Sequence, residues 1–389
     1  MFTRQISKIF AKTVKAFPVV ILTGARQTGK STLCRSLFSN SHKYVSLEDP
    51  DVRQQALEDP RTFLANYPAP VIFDEIQYAP ELPNYMQGIV DNNRNKYGQY
   101  ILTGSQNFLL MHKISQSLAG RAALLTLYPC SVEEAYEEKV LHTPLEVADW
   151  ILRGGYPELR ARSKLDRKIW CSSYIRLYLE RDVRQLLNVG DLSTFERFLR
   201  LVAIRTGQIL NISDLARDTG VSVPTASRWL SVLQASYQVY LLEPFHANLS
   251  KRLIKSPKIY FGDTALASYL MGIHDAEVLN QGPFSGPLLE TAVILEHLKK
   301  ASFSGIMPNF SYLRTKDGIE TDLLIEDGNK IHLREIKNTR TILPNLRDGL
   351  VKTEKLLAKT AVKSILAPVE KNIRLSENVI VKPWHDVAW

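Results

Sequence analysis

A chain of 389 residues is long enough for two or three domains at roughly 150 residues each. Its composition of 45% hydrophobic, 23% charged and 9% aromatic residues excludes wholesale disorder, collagen and a disulfide scaffold. Its three cysteines, Cys34, Cys130 and Cys171, form no CxxC pair, which excludes a cysteine-built zinc site, and the formal charge of +9 suits a polyanionic partner as readily as a solvated basic surface.

No apolar run approaches the ~18 residues of a membrane span. The basic start, with Arg4, Lys8, Lys12 and Lys15, leads into an apolar stretch Phe17–Leu22 too short for a signal-peptide core. It reads as one face of a short helix, and the expected location is cytoplasmic, without a membrane partner. From Pro18 to Pro129, five short apolar runs (Val19–Thr23, Tyr44–Leu47, Val71–Phe73, Tyr100–Thr103, Ala123–Leu127) alternate with helix-compatible segments. That pattern predicts a parallel sheet covered on both faces, an α/β architecture. Residues from about 130 to 200 are helical in pattern, with Tyr174, Leu177, Tyr178 and Arg181 three and four apart.

Phosphate chemistry enters at the first strand. Gly24-Ala25-Arg26-Gln27-Thr28-Gly29-Lys30-Ser31 matches GxxxxGK[ST] between the strand Val19–Thr23 and the helical stretch Thr32–Phe38. Its backbone N–H groups and helix start can surround phosphates, Lys30 can reach the outer ones, and Ser31 can ligate Mg²⁺. Val71-Ile72-Phe73-Asp74-Glu75 is a strand ending in two carboxylates, suited to holding the metal (Asp74) and orienting the attacking water (Glu75). Thr103 and Ser105 end the next strand, where they can contact the γ-phosphate or serve as turn hydroxyls. Arg121, just before the fifth run, can complete a site in cis or in trans, or be structural.

The series TGARQTGKST, YVSLEDP, VIFDEIQ, LTGSQN, SLAGR, GGYPEL and YLERDV resembles the AAA-type ATPases of bacteria and archaea that carry a C-terminal domain of unknown function, over essentially the whole chain. The resemblance implies Walker A and Walker B roles for Lys30, Ser31, Asp74 and Glu75. ATP and Mg²⁺ are thus the expected cofactors, bound by residues 24–32 (Gly24 through Ser31, and Thr32), Asp74, Ser105 and Arg121. It further implies a homo-oligomer.

A second unit starts near Ser193. The helical patterns Ile212–Arg217 and Val223–Leu233, joined by a Gly220 turn and followed by extended stretches Tyr237–Leu242 and Lys258–Phe261, have the order of a winged helix-turn-helix. Thr225, Ser227 and Arg228 can face DNA, with Lys251, Arg252, Lys255 and Lys258 as a backbone-binding patch, while Val223, Ala226, Leu230 and Leu233 form the buried stripe. Protein docking is the other use of such a unit.

The third unit pairs Ile319–Asp322 with His332–Lys337 across Asp327-Gly328-Asn329. A two-residue Gly328-Asn329 loop places Asp322 opposite Glu335, and strand alternation puts Lys337 on the same face. Two carboxylates beside an ammonium can hold a divalent metal. The set is similar to the PD-(D/E)xK nuclease core, and Glu290 matches the extra glutamate of many such nucleases, although no Pro precedes Asp322. This resemblance implies a restriction-endonuclease-like α/β fold with Asp322, Glu335 and Lys337 in catalysis and Glu290, Asp322 and Glu335 on a second Mg²⁺ or Mn²⁺. The expected domains are residues 1–190 (ATPase with trailing helices), 191–262 (winged helix) and 263–389 (nuclease-like). Two functions follow: an ATPase controlling a DNA-binding, DNA-cleaving half, or an ATP-gated adaptor whose acidic fold binds a protein partner.

Overall fold

The computed structural model describes residues 2–105, 117–179, 192–245, 255–305, 308–357 and 359–389. Arg181, Lys251 and Arg252, singled out above, and the Gln106 of LTGSQN lie outside them. The chain forms two compact units, the first built mainly from residues up to Cys130 and completed by Ala235–Tyr237 and residues 302–305, the second from most of the remainder.

In the first unit, the apolar runs become five parallel strands: β1 (Val19–Thr23), β2 (Lys43–Ser46), β3 (Val71–Asp74), β4 (Tyr100–Gly104) and β5 (Ala122–Thr126), in the spatial order β2-β3-β4-β1-β5. β1, β3 and β4 are buried on both faces, which is why they are written as unbroken apolar runs rather than alternations. One face packs on a core containing Phe63, Phe73, Met86 and Tyr100, the other on Phe10, Val20, Leu33 and Phe38. Phe303 joins the second of these cores.

In the second unit, β6 (Gln208–Ile209), β7 (Val239–Leu242) and β8 (Lys258–Phe261) form a small antiparallel sheet in the order β6-β8-β7, accompanied by helices Leu192–Ile204, Ile212–Thr219 and Val223–Ala235. Gly220 at φ +83 ends the middle helix in the left-handed conformation. Ala226, Leu230 and Leu233 are buried as expected, but Val223 is 40% exposed. It occupies the first helical position, and Trp229 takes the inner face instead, its ring set edge-on to Phe195 and Phe198.

The larger sheet comprises β9 (Asn309–Arg314), β10 (Glu320–Asp327), β11 (Lys330–Ile336), β12 (Ala361–Ala367), β13 (Ile373–Ser376) and β14 (Val379–Pro383), in the order β13-β14-β12-β11-β10-β9. β9, β10 and β11 are antiparallel neighbours, whereas β11, β12 and β14 run parallel. The helix Ser285–Ser304 precedes this sheet.

The division between the two units falls after Cys130. Helix Pro144–Arg153 packs on helices Thr264–Leu270 and Ala276–Gln281. Buried Asp263 caps the first of these through Ala265 N (2.8 Å) and also accepts from Gly155 N (2.8 Å). Such tertiary ties leave no mark on sequence spacing. Among the described residues, no helix is long and apolar enough to cross a membrane.

Candidate nucleotide and acidic sites

At the end of β1 the chain turns into a loop that only its glycines permit. Gly24 has φ +145, and a Cβ there would lie 2.1 Å from the Leu127 carbonyl oxygen; Gly29 has φ +94 at the start of helix Lys30–Phe38. Among the described residues no side chain caps that helix, an arrangement that suits its first N–H groups to an anion. The buried Lys30 ammonium donates to Gly24 O (3.0 Å) and Ala25 O (2.9 Å). Burial pulls its pKa below the usual lysine range, against the opposing pull of the Glu75 and Asp74 carboxylates.

Asp74, ending β3, collects three hydroxyls. Ser31 Oγ donates to it at 2.8 and 3.0 Å, Tyr44 OH at 2.5 Å, and Thr103 Oγ1 makes a third, short contact. Glu75 is left-handed at φ 56; its N–H donates to Thr103 Oγ1 (3.1 Å), and its carboxylate contacts Gln77 Nε2, which also reaches Ser105 Oγ (3.2 Å). Lys30, Ser31, Asp74, Glu75, Thr103 and Ser105 therefore form one continuous set at the carboxyl edge of β1, β3 and β4. Ala25 and Thr28 are buried within the loop, Gln27 is left-handed at φ 60, Arg26 is partly exposed, and Thr32 is exposed on the helix's first turn.

Three members of the site escape sequence reasoning. Tyr44 sits in an apolar run where an aromatic reads as core. Gln77 is two residues past the acid pair. Buried Arg4 donates to Thr28 O (2.8 Å) and Tyr128 O (2.6 Å), bracing the loop from the N-terminal segment across 24 residues of sequence.

Arg121 lies elsewhere. Its carbonyl accepts from Val19 N (3.3 Å) at the strand-start edge of the sheet, the length of β1 or about 15 Å from the loop. Its guanidinium is bidentate on Asp91 at 2.6 and 2.7 Å. Completion of its own subunit's site in cis is thus replaced by an ion pair at the opposite edge.

In the second unit, β10 and β11 pair with Leu323 opposite Arg334 and Asp327 opposite Lys330, leaving Gly328 (φ +59) and Asn329 as the two-residue loop. Continuing that register places Asp322 opposite Glu335. Asp322 Oδ2 accepts from Ile336 N (2.9 Å), and Lys337 Nζ holds Glu335 Oε1 at 2.6 Å. Glu290, from helix Ser285–Ser304, accepts from Tyr260 OH at 2.7 Å. With Glu320, these residues border a cavity of about 710 Å³.

Lys258 is the correction here. It does not join a basic DNA-facing patch: it is 4% exposed, and its ammonium reaches Glu320 (2.9 Å), Glu290 (3.0 Å) and Asp322 (3.3 Å). β8 is buried at all four positions, so this lysine reaches only the acidic cavity and not an outer DNA-facing surface. Burial alone would lower its pKa, but the three carboxylates raise it. Burial and the Asp322 charge lift Glu290 to about 7 and Glu335 to about 8. Among the described residues, no group of three or more His, Cys, Asp or Glu stands ready to hold a metal ion. At this cluster an ammonium occupies the space between the carboxylates.

Comparison with known proteins gives three family matches along the chain. A model described as an AAA domain matches residues 16–136, and two described as domains of unknown function (DUF8612 and DUF4143) match residues 145–277 and 285–387. The uncharacterized proteins Mb2031c of Mycobacterium bovis and Rv2008c of Mycobacterium tuberculosis are each 34% identical over 371 residues, covering 94% of this chain and 80% of theirs. An uncharacterized protein of Haemophilus influenzae is 21% identical over 307 residues, 72% of this chain and 74% of its own. Among solved structures, the Walker-type ATPase of Pyrococcus abyssi is similar at 16% identity and TM-score 0.47, over 69% of this chain and 96% of that one. RuvB of Thermotoga maritima is similar at 17% identity and TM-score 0.32, over 61% and 89%.

Proposed function

The chain belongs to the family of these two mycobacterial proteins and carries an AAA-type P-loop ATPase at its N-terminus, and from that premise we propose that its ATP hydrolysis, dependent on Mg²⁺, controls a C-terminal half that binds and cleaves DNA. In the ATPase, Lys30 exchanges the Gly24 and Ala25 carbonyls for the outer phosphates. Ser31 and Asp74 suit Mg²⁺, which neutralises phosphate charge when bound. Glu75 orients the attacking water while Thr103 fixes both its backbone and Asp74. Ser105, joined to Glu75 through Gln77, senses the γ-phosphate in this reading. The protein acts as a homo-oligomer in this reading, with Arg121 offered to a neighbouring subunit.

For the C-terminal half, the carrying observation is the Asp322–Glu335 pairing with Glu290 on the same cavity. The donor set is all carboxylate oxygen, which suits Mg²⁺ or Mn²⁺, and Glu335 Oε2 is buried with no hydrogen-bond partner among the described residues. Asp322, Glu335 and Glu290 would hold the ion, which supplies Lewis-acid polarisation of a phosphodiester. Lys337 orients Glu335 and offers positive charge to the reacting phosphate. The sequence of three helices and the β6-β8-β7 sheet supports a winged helix, on which Ser227, Arg228 and Lys255 are exposed. The ammonium of Lys258 among the acids favours a second reading: an ATP-gated adaptor with an inactive nuclease-like fold and a protein partner.

One paired assay separates them. ATPase activity is measured with and without DNA, beside cleavage in Mg²⁺ or Mn²⁺. Asp322→Ala should abolish cleavage and leave ATPase activity unchanged. ATPase activity indifferent to DNA, with no cleavage in either metal, rejects the DNA-cleaving function and leaves the adaptor.

A further inference from the structure

The acidic cavity already has a cation, supplied by the chain itself. Lys258 projects from β8, a strand of the small sheet, into carboxylates from helix Ser285–Ser304 and from β10. Its ammonium lies 5.6 Å from the centre of the Tyr312 ring, a further site of favourable charge. Two of the carboxylates it holds, Glu290 and Asp322, belong to the set proposed above for a divalent ion. The third member, Glu335, is 8% exposed, borders the same cavity and leaves Oε2 unpartnered. A buried oxygen without a donor among the described residues, beside two carboxylates that share the Lys258 ammonium, makes a group of acids with a cation already between them.

We propose that Lys258 is a built-in counter-cation that closes this cavity to divalent ions, so that metal binding requires its ammonium to withdraw from Glu290 and Asp322. The inference rests on the reading of Glu290, Asp322 and Glu335 as a metal site. An ammonium and a divalent cation cannot share those oxygens: at about 4 Å even the high effective dielectric of a protein leaves like charges strongly repelled. The carboxylates, in turn, are not left bare when the ion is absent. Lys258 sits on β8 and the acids on β10 and the preceding helix, so any shift of the small sheet against those elements changes which cation the cavity holds.

The test is Mn²⁺ binding to the full chain without nucleotide, read by electron paramagnetic resonance. Lys258→Met should tighten binding about tenfold or more over wild type, and adding Asp322→Asn should remove that gain. Any ion at Ser31 and Asp74 is common to all variants and cancels in the comparison. Should Lys258→Met fail to fold, Lys258→Met with Glu320→Gln removes one carboxylate outside the metal set along with the ammonium, and the same gain is expected. If Asp322→Asn weakens Mn²⁺ binding in the wild-type background while removal of Lys258 changes nothing, the metal site stands and the counter-cation is rejected. If no variant binds Mn²⁺ in a way that depends on Asp322, both are rejected.

Discussion

Replacing Lys30 by Ala and Glu75 by Gln should separate binding from turnover at the nucleotide site. The Lys30 ammonium now satisfies two backbone carbonyls at 2.9 and 3.0 Å, and phosphate oxygens replace them when ATP enters. Two charge-assisted hydrogen bonds at roughly 1.5 kcal/mol each give about 3 kcal/mol, or about 100-fold in Kd. Glu75→Gln has a different consequence. The backbone N–H of residue 75 still donates to Thr103, and an amide oxygen can still accept from Gln77, so the loop and its affinity for ATP should change less than about threefold. Lost is the carboxylate that orients water, a contribution of roughly 10²–10⁴ in rate. Calorimetric titration with a non-hydrolysable ATP analogue, beside phosphate release at saturating ATP, measures both quantities. Equal phosphate release by wild type and Glu75→Gln would remove Glu75 from the mechanism, and unchanged affinity in Lys30→Ala would remove Lys30 from phosphate binding.

The remaining predictions address the acids, the loop and the arginine. Glu290 at about 7 and Glu335 at about 8 lie above the ordinary 4.5, so the folded state holds more protons than the unfolded between about pH 4.5 and 8, and stability falls as pH rises through that window. Glu290→Gln should therefore raise the melting temperature relative to wild type near pH 8.5 but not near pH 5.5; an equal change at both values contradicts it. Gly24→Ala must displace the Leu127 carbonyl, 2.1 Å from the new Cβ, and should abolish ATP binding in a calorimetric titration. Arg121→Ala and Lys30→Ala subunits, each inactive alone, should recover ATPase activity on mixing if Arg121 serves a neighbour's site. A mixture no more active than its parts refutes that role.

Where chemistry is written within a few adjacent residues, sequence is a sound guide. The phosphate loop needs its glycines and lysine at fixed spacing, and the acids at the end of β3 follow an apolar run that can hardly be other than a buried strand. The parity of a two-residue loop is equally local, which is why Asp322 and Glu335 can be paired from the residue spacing. Lys258 shows the limit. In a basic chain it reads as one of several surface lysines, and nothing within ten residues reveals that its partners are Glu290, Glu320 and Asp322. Tyr44 and Arg4 fail for the same reason: an aromatic in a strand and an arginine near the N-terminus acquire meaning only from elements distant in sequence. Asp263 likewise ties residues near 155 to those near 265, a link that no periodicity records.

The first unit draws its closing pieces from far along the chain. Phe303 packs into its core, and a Cβ on Gly305 would come within 2.9 Å of Ile9, so residues near 300 complete a body otherwise finished by Cys130. During synthesis the phosphate loop leaves the ribosome well before its last supporting segment. At about 5–20 residues per second, the roughly 270 residues between them take roughly 15–55 s. For that interval the first unit lacks its Phe303 and Gly305 contacts while most of the second unit is still being made, so a chaperone, or ATP itself, meets the phosphate loop on a body not yet complete.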